Sequence, residues 1–347
     1  MKAVFMGSPE IAVPFLDFLI KKNVELIVFT QKDKIRCRGK NCDATPVKKH
    51  AATNNIEVFE CSAKSDKAFE IINEFKPDIF LVVAYGQILP ERILSIPKFG
   101  PINVHFSLLP KYRGATPVNS SLLNGDSLTG TTIMLMDKGL DTGNIIYQKK
   151  IEVDPSDNSC SLFKKLINLS LDIIGENWNE IETGSFKSTP QAGDATLTKL
   201  ILKDDLFIDW NDSSEHIFNK IRAFNAQPGT KTCFRQRLLF IEKAKLLSDK
   251  EVSCCHSRAD GNPSSDLTTD SCLRGNDRDN SVNDINLLEH NPGEIIAISK
   301  NSFSVACGMG FLEIETVKPE GKKSMPACAF IAGYRPQIGE FLEVIKK

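Results

Sequence analysis

Residues Asp78–Ala84, DIFLVVA, form a nearly continuous apolar run. It is too short to cross a bilayer and too uniform for a strand with one wet face, so it suits a parallel strand covered on both sides. The chain around it alternates strand-like runs with helical periods. Val4–Met6 reads as a first strand, Ala12–Lys21 as a helix with Pro9 near its start, and Leu26–Thr30 as a second strand. Asp66–Phe75 has a helical period, Pro101–His105 and Gly130–Asp137 read as further strands, and Cys160–Asn177 as a closing helix. Strands alternating with crossover helices predict an α/β domain with a Rossmann-like, mostly parallel sheet over residues 1–189.

Beyond Gly184 the pattern weakens into polar sequence, which predicts a linker over 190–209. A second domain over 210–347 follows. Ser214–Phe224 reads as a helix, and Leu238–Ile241, Glu294–Ser299 and Phe311–Val317 as short strands of a small or open β-barrel, OB-like in kind. Residues 249–292 stand apart, with no aromatic residue and nine acids against four bases. Such composition cannot bury enough apolar surface to order itself, so it reads as a disordered insert.

A length of 347 residues favours two domains over one. The formal net charge of −1 excludes a uniformly basic coat, so a polyanionic partner needs a local basic patch. The start, Met1–Gly7, resembles a buried strand and has neither the apolar core nor the cleavage site of a signal peptide. The ten cysteines lack framework spacing, which favours reduced thiols in a cytoplasm.

The chemistry-bearing stretch is Gly100–Pro110, GPINVHFSLLP. Asn103 and His105 are two apart at a strand end, so their side chains share one face. Open parallel sheets hold ligands beyond the carboxyl ends of their strands. An amide donor beside an imidazole there can stabilise an oxyanion and handle a proton. Asp141 sits in a Gly-flanked turn, GLDTG, and would orient His105 and pair with its charged form. Either feature alone is as readily a satisfied polar pair or an Asp bonding turn amides. Gly7-Ser8-Pro9 lies at a strand-to-helix turn but is not a G-x-G-x-x-G loop.

Together, FMGSPE (Phe5–Glu10), VAYGQILP (Val83–Pro90), INVHFSLLP, RGATP and GLDTG resemble the formyltetrahydrofolate-dependent formyltransferases. IRAFN (Ile221–Asn225) and GKKSMPA (Gly321–Ala327) resemble the methionyl-tRNA branch. The resemblance implies the formyltransferase fold and direct formyl transfer from 10-formyltetrahydrofolate, as co-substrate and without a metal, to the amine of methionine on initiator tRNA. It places the catalytic set on Asn103, His105 and Asp141. Folate contacts fall on Ser107, Leu108, Leu109 and Pro110, on the loop of Tyr85, Gly86, Gln87, Ile88 and Leu89, and around Asp141. At Phe106 the sequence departs from the family, which carries a small residue there; a ring would narrow the site or shift the loop.

A basic patch suited to meeting phosphates is expected in Thr30–Lys49, where seven basic residues stand against two acidic ones. Within it Arg36, Arg38 and Lys40 match the R-G-K insertion that, in the family, reaches the tRNA acceptor end. A solvated charged loop is the plain alternative. Lys243, Lys245, Lys318, Lys322, Lys323 and Arg335 form a diffuse second basic group. Cys37, Cys42, Cys254, Cys255 and Cys272 have no zinc-site spacing. The expected partners are therefore methionyl initiator tRNA and folate, with no membrane, for a monomeric cytoplasmic enzyme. The alternatives are a formyltransferase for a small amine (a phosphoribosyl amine or amino sugar nucleotide) and a non-catalytic RNA-binding protein. A basic loop and a second domain argue against the first, and an intact Asn-His-Asp set against the second.

Overall fold

The computed structural model describes residues 1–35, 42–225, 228–247 and 290–343. Its contacts divide the chain into two compact units, Met1–Ile201 and Leu202–Lys347.

The first unit is built on a seven-stranded sheet. In chain order its strands are β1 (Lys2–Gly7), β2 (Glu25–Phe29), β5 (Glu57–Phe59), β6 (Ile79–Val83), β7 (Gly100–His105), β8 (Leu128–Leu135) and β9 (Ile145–Glu152). A two-residue ladder, β3 (Lys34–Ile35) with β4 (Cys42–Asp43), stands outside it. The spatial order is β5-β2-β1-β6-β7-β8-β9. The first five strands run parallel, and β8 and β9 run antiparallel. The direction of winding reverses between β1 and β6, so a crevice opens beyond the carboxyl ends of those strands.

Helices cover both faces. They are α1 (Val13–Lys21), α2 (Pro46–Thr53), α3 (Asp66–Phe75), α4 (Glu91–Leu94), α5 (Pro117–Leu123), α6 (Ser159–Glu176) and α7 (Trp178–Thr183). The DIFLVVA run is the central strand β6, and every residue of Ile79–Val83 is buried. Val4, Met6, Phe80 and Val82 join Ala68 and Ile72 of α3 in one apolar cluster. Asn103 pairs in register with Val82, which pairs with Met6, so Asn103 and His105 belong to that same face.

The second unit holds a six-strand path with one side strand. Its elements are α8 (Ser214–Ala223), β10 (Thr230–Phe234), β11 (Arg237–Leu247), β12 (Ile295–Ile298), β13 (Phe303–Ala306), β14 (Phe311–Pro319), β15 (Met325–Pro326), α9 (Ala327–Tyr334) and β16 (Leu342–Glu343). The order is β12-β13-β14-β11-β10-β16, with β15 on β14, all antiparallel. Bulges in β11 and β12 curl the sheet into an OB-like half-barrel. Trp210, Ile217, Phe303 and Phe330 fill its core. The IRAFN stretch ends α8: Ile221 and Phe224 are buried, and the Asn225 amide donates to the Glu242 carbonyl at 2.6 Å. Most of the 249–292 stretch lies outside the described residues. Among the described residues no helix is long and apolar enough to cross a membrane.

Candidate active site

Strand β7 ends at His105, and its pleat aims Asn103 and His105 into the crevice face. The imidazole is 5% exposed. Its Nε2 lies 2.9 Å from the Tyr112 carbonyl oxygen, and since that oxygen only accepts, Nε2 carries the proton and donates. Its Nδ1 faces Asp141 Oδ2 at 3.6 Å, an ion-pair distance rather than a hydrogen bond. That same Oδ2 accepts the Gly114 backbone N–H at 2.7 Å. Asp141 holds a left-handed backbone with φ of 53°, which Asp tolerates better than most side chains. Asn103 is partly exposed, and among the described residues its side-chain amide makes no hydrogen bond, so its donors remain for a ligand.

The structure therefore brings together the three residues that the sequence singled out. Phe106 turns the other way. Its ring packs on Phe15 of α1 and edge-on against Phe163 of α6, at centroid distances of 6.4 and 5.8 Å. The helix layer on the opposite face absorbs the ring, so it does not narrow the crevice.

The flanking loops divide between support and exposure. Tyr85 and Leu89 point into the core, so neither side chain is presented to a ligand. Burial pushes the Tyr85 phenol upward, helped by the nearby Cys61 thiol. Gln87 accepts the Ala63 N–H at 2.9 Å, which ties the loop down. Gly86 has φ of 73°, and a Cβ there would sit 2.4 Å from the Gln31 amide nitrogen, so the loop needs glycine. Ile88 is 73% exposed and is the apolar side chain the loop offers. On the other loop Ser107 is fully buried and spends its hydroxyl on the Lys111 carbonyl at 2.6 Å. Leu109 is buried, while Leu108 and Pro110 are partly exposed. Leu108, Pro110, Tyr112 and Asp126 line a cleft of about 450 Å³ that does not include Asn103, His105 or Asp141.

Ser8 of the Gly7-Ser8-Pro9 turn uses its hydroxyl internally, accepting from the Gln31 N–H at 3.0 Å and the Thr30 hydroxyl at 3.3 Å. Gln31 in turn donates to the Tyr85 carbonyl at 2.9 Å, so three strand-end loops are laced together.

Arg36, Arg38 and Lys40 lie outside the described residues, as does Cys37. Lys48, counted with them as basic, is committed elsewhere: its ammonium bridges Asp33 and Glu60 at 2.7 Å each. Those hydrogen bonds raise its pKa, and the same Lys48 bond lowers that of Asp33. In the second basic group Lys243 pairs with Glu315 at 2.8 Å and Lys318 lies over the Phe240 ring, while Lys322 and Lys323 are exposed.

Several supporting residues carry no signal in the sequence. Gln148 of β9 donates to the Leu109 carbonyl and to Thr132 Oγ1 at 3.0 and 2.8 Å. Residues 189–199, expected as free linker from 190 onward, instead bond to the loops that bear the site. Thr189 pairs with Ile145, and the Arg113 N–H donates to the Thr196 carbonyl at 2.8 Å.

Two family models match the chain, one described as formyl transferase over residues 1–174 and one as formyl transferase, C-terminal domain, over 200–335. The chain belongs to the formyl transferase family. It is similar along its length to the methionyl-tRNA formyltransferase of Carboxydothermus hydrogenoformans, 37% identical over 99% of this chain and 100% of that one. The methionyl-tRNA formyltransferase of Kosmotoga olearia is also 37% identical, over 93% of each chain. Among solved structures, HypX from Aquifex aeolicus in complex with tetrahydrofolic acid aligns with a TM-score of 0.62 at 14% identity, over 98% of this chain and 48% of that one. WlaRD, a sugar 3N-formyl transferase, aligns with a TM-score of 0.58 at 22% identity, over 93% and 99%. Those two likenesses concern the fold of this formyl transferase.

Proposed function

We infer that the chain transfers the formyl group of 10-formyltetrahydrofolate to the α-amino group of methionine on initiator methionyl-tRNA, yielding N-formylmethionyl-tRNA for translation initiation. The carrying observation is the His105–Asp141 pair beside the uncommitted Asn103 amide, at the carboxyl end of β7, in a chain with full-length methionyl-tRNA formyltransferase relatives.

Formylfolate enters as a co-substrate: the neutral amine attacks the formyl carbon, and a tetrahedral oxyanion collapses with release of N10. The site has to hold two substrates in line, and that alone removes much of the barrier. Asn103 donates to the developing oxyanion, where a preorganised donor is worth about 100- to 1000-fold in rate. His105 acts through Nδ1 and its charge, because Nε2 is already bound to Tyr112. Asp141 holds that charge in place, and its carboxylate is the natural first acceptor for the amine proton, which passes on to N10 as that nitrogen leaves. Exposed Gly86 and Ile88 and partly exposed Leu108 and Pro110 are the groups fitted to hold the folate, while Tyr85, Gln87, Leu89, Ser107 and Leu109 shape the walls behind them. Arg36, Arg38 and Lys40 would take tRNA phosphates. On this reading the enzyme acts as a monomer in the cytoplasm, where charged tRNA is used.

The test is formyl transfer from 10-formyltetrahydrofolate to methionyl initiator tRNA, with uncharged tRNA and free methionine as controls. Product only in the complete reaction supports the reading. Folate binding with no formylated tRNA would overturn it.

A further inference from the structure

His105 and Asp141 each owe their placement to a backbone group in one irregular loop. The Tyr112 carbonyl receives His105 Nε2–H, and the Gly114 N–H reaches Asp141 Oδ2. That loop is strained at Tyr112, whose φ is 60°, and turns through Gly114 at a φ of 113° that glycine adopts freely. It belongs to neither a helix nor a strand, so something outside must satisfy its backbone.

Residues 189–199 do so. Thr196 Oγ1 accepts the Tyr112 N–H at 2.8 Å, the Thr196 carbonyl accepts the Arg113 N–H at 2.8 Å, and the Thr198 N–H donates back to the Arg113 carbonyl at 2.8 Å. The fit is close: a Cβ on Gly114 would meet Thr198 Oγ1 at 2.5 Å. Gln191 reaches the second half of the pair. Its amide nitrogen donates to the Asp141 and Gly143 carbonyls at 2.8 Å each. Its amide oxygen accepts Arg113 Nε and Nη2 at 3.1 and 2.7 Å. Two carbonyls on the nitrogen and a guanidinium on the oxygen leave the amide one orientation.

We propose that residues 189–199 form a strap whose Gln191 and Thr196 are positioning residues for the transfer, Thr196 setting the His105 ring through Tyr112 and Gln191 setting the Asp141 turn against Arg113. The proposal rests on the formyl-transfer reading, because it assigns the strap to that site. A displacement of about 1 Å in such a group is enough to cost on the order of 100-fold in rate.

Three full-chain variants test it. Thr196→Val removes the acceptor for Tyr112 N–H at nearly constant shape, and Thr196→Ser restores it. Gln191→Glu keeps an acceptor for Arg113 but sets a carboxylate against the Asp141 and Gly143 carbonyls. Thr196→Val and Gln191→Glu are expected to lower kcat about 10- to 100-fold. KM for both substrates should stay within about 3-fold, and Thr196→Ser should recover kcat. In protein labelled with 15N-histidine, the His105 ring resonances, assigned with His105→Gln, should shift in Thr196→Val and its Nε2 proton exchange faster. Unchanged kcat in both damaging variants, a loss that serine does not restore, or His105 resonances indifferent to Thr196→Val would each sink the strap. Those resonances need no turnover, whereas a wild-type protein that formylates no methionyl-tRNA would sink the functional reading instead.

Discussion

Asp141 carries two duties that a substitution can separate. Its Oδ2 caps the Gly114 N–H and also faces the His105 ring, within a left-handed turn. Asn adopts that backbone and can still accept from Gly114, so Asp141→Asn removes the charge and little else. Its kcat is expected to fall at least about 100-fold while the melting temperature stays close to the parent's, checked by single-turnover formylation and calorimetry. Asn103→Ala is expected to lose about 100- to 1000-fold in kcat with KM nearly unchanged, as for any donor used only in the transition state. A KM effect alone in steady-state assays would mean that Asn103 merely binds substrate. These residues were legible because a strand alternates faces: N-x-H at a strand end must put both side chains together. What the alternation could not give was the commitment of Nε2 to Tyr112, a contact made by a strained loop with no sequence marker. The same alternation explains Phe106, which as His105's neighbour goes to the helix side.

Elements with local determinants were readable and those with distant ones were not. The period in Asp66–Phe75 and a capping Ser65, which accepts the Ala68 N–H, define α3 at the expected bounds. Strand β9, IIYQKKIE, escaped notice because it lies at the sheet edge with a largely wet surface. The strap escaped because its bonds go to loops about 80 residues away, which composition cannot register. Helix α6 shows how local chemistry also sets pH dependence. Asn158 and Ser161 form a reciprocal cap, and buried Asp157 accepts from Ser161 and from Lys165 at 2.8 and 2.6 Å. Burial would raise the Asp157 pKa, but the Lys165 and Ser161 bonds outweigh it and hold it below the ordinary 3.8. A depressed carboxylate adds stability above its unfolded pKa, and that stability drains as pH falls through the folded value. Asp157→Asn should therefore flatten the acid limb of the melting-temperature curve below about pH 4 while costing stability at neutral pH. An acid limb parallel to the parent's in thermal melts would show that other carboxylates govern it. Asn158→Ala should cost about 1 kcal/mol in denaturant melts, the usual worth of such a cap.

At the scale of the molecule, a net charge of −1 hides an uneven distribution: Thr30–Lys49 is basic and residues 249–292 are acidic. Because Lys48 is held by Asp33 and Glu60, the work of meeting phosphates would fall to Arg36, Arg38 and Lys40. Arg38→Ala is expected to raise KM for tRNA without altering that for folate, and to lower the salt slope of tRNA binding by about one counterion. The acidic stretch offers the last test. It joins β11 to β12, and β14 and β13 lie between those strands in the sheet. Leu247 pairs with Phe311, Phe311 with Ala306, and the Ala306 N–H with the Glu294 carbonyl, so the two ends stand level across three strand spacings. At about 4.8 Å per spacing the gap is roughly 14 Å. Eight extended residues reach up to about 26 Å, so replacing 251–288 by an eight-residue Gly/Ser linker leaves the sheet's connectivity unstrained. Shortening a loop changes closure entropy only slowly, so the melting temperature should move by no more than about 3 °C and kcat by less than about 2-fold. Removing seven acids and three bases, a net charge of −4, should strengthen tRNA binding at low salt and leave it unchanged at high salt, where such fields are screened. A collapsed melting transition would make the stretch part of the fold, and weaker tRNA binding at low salt would make it part of the interface.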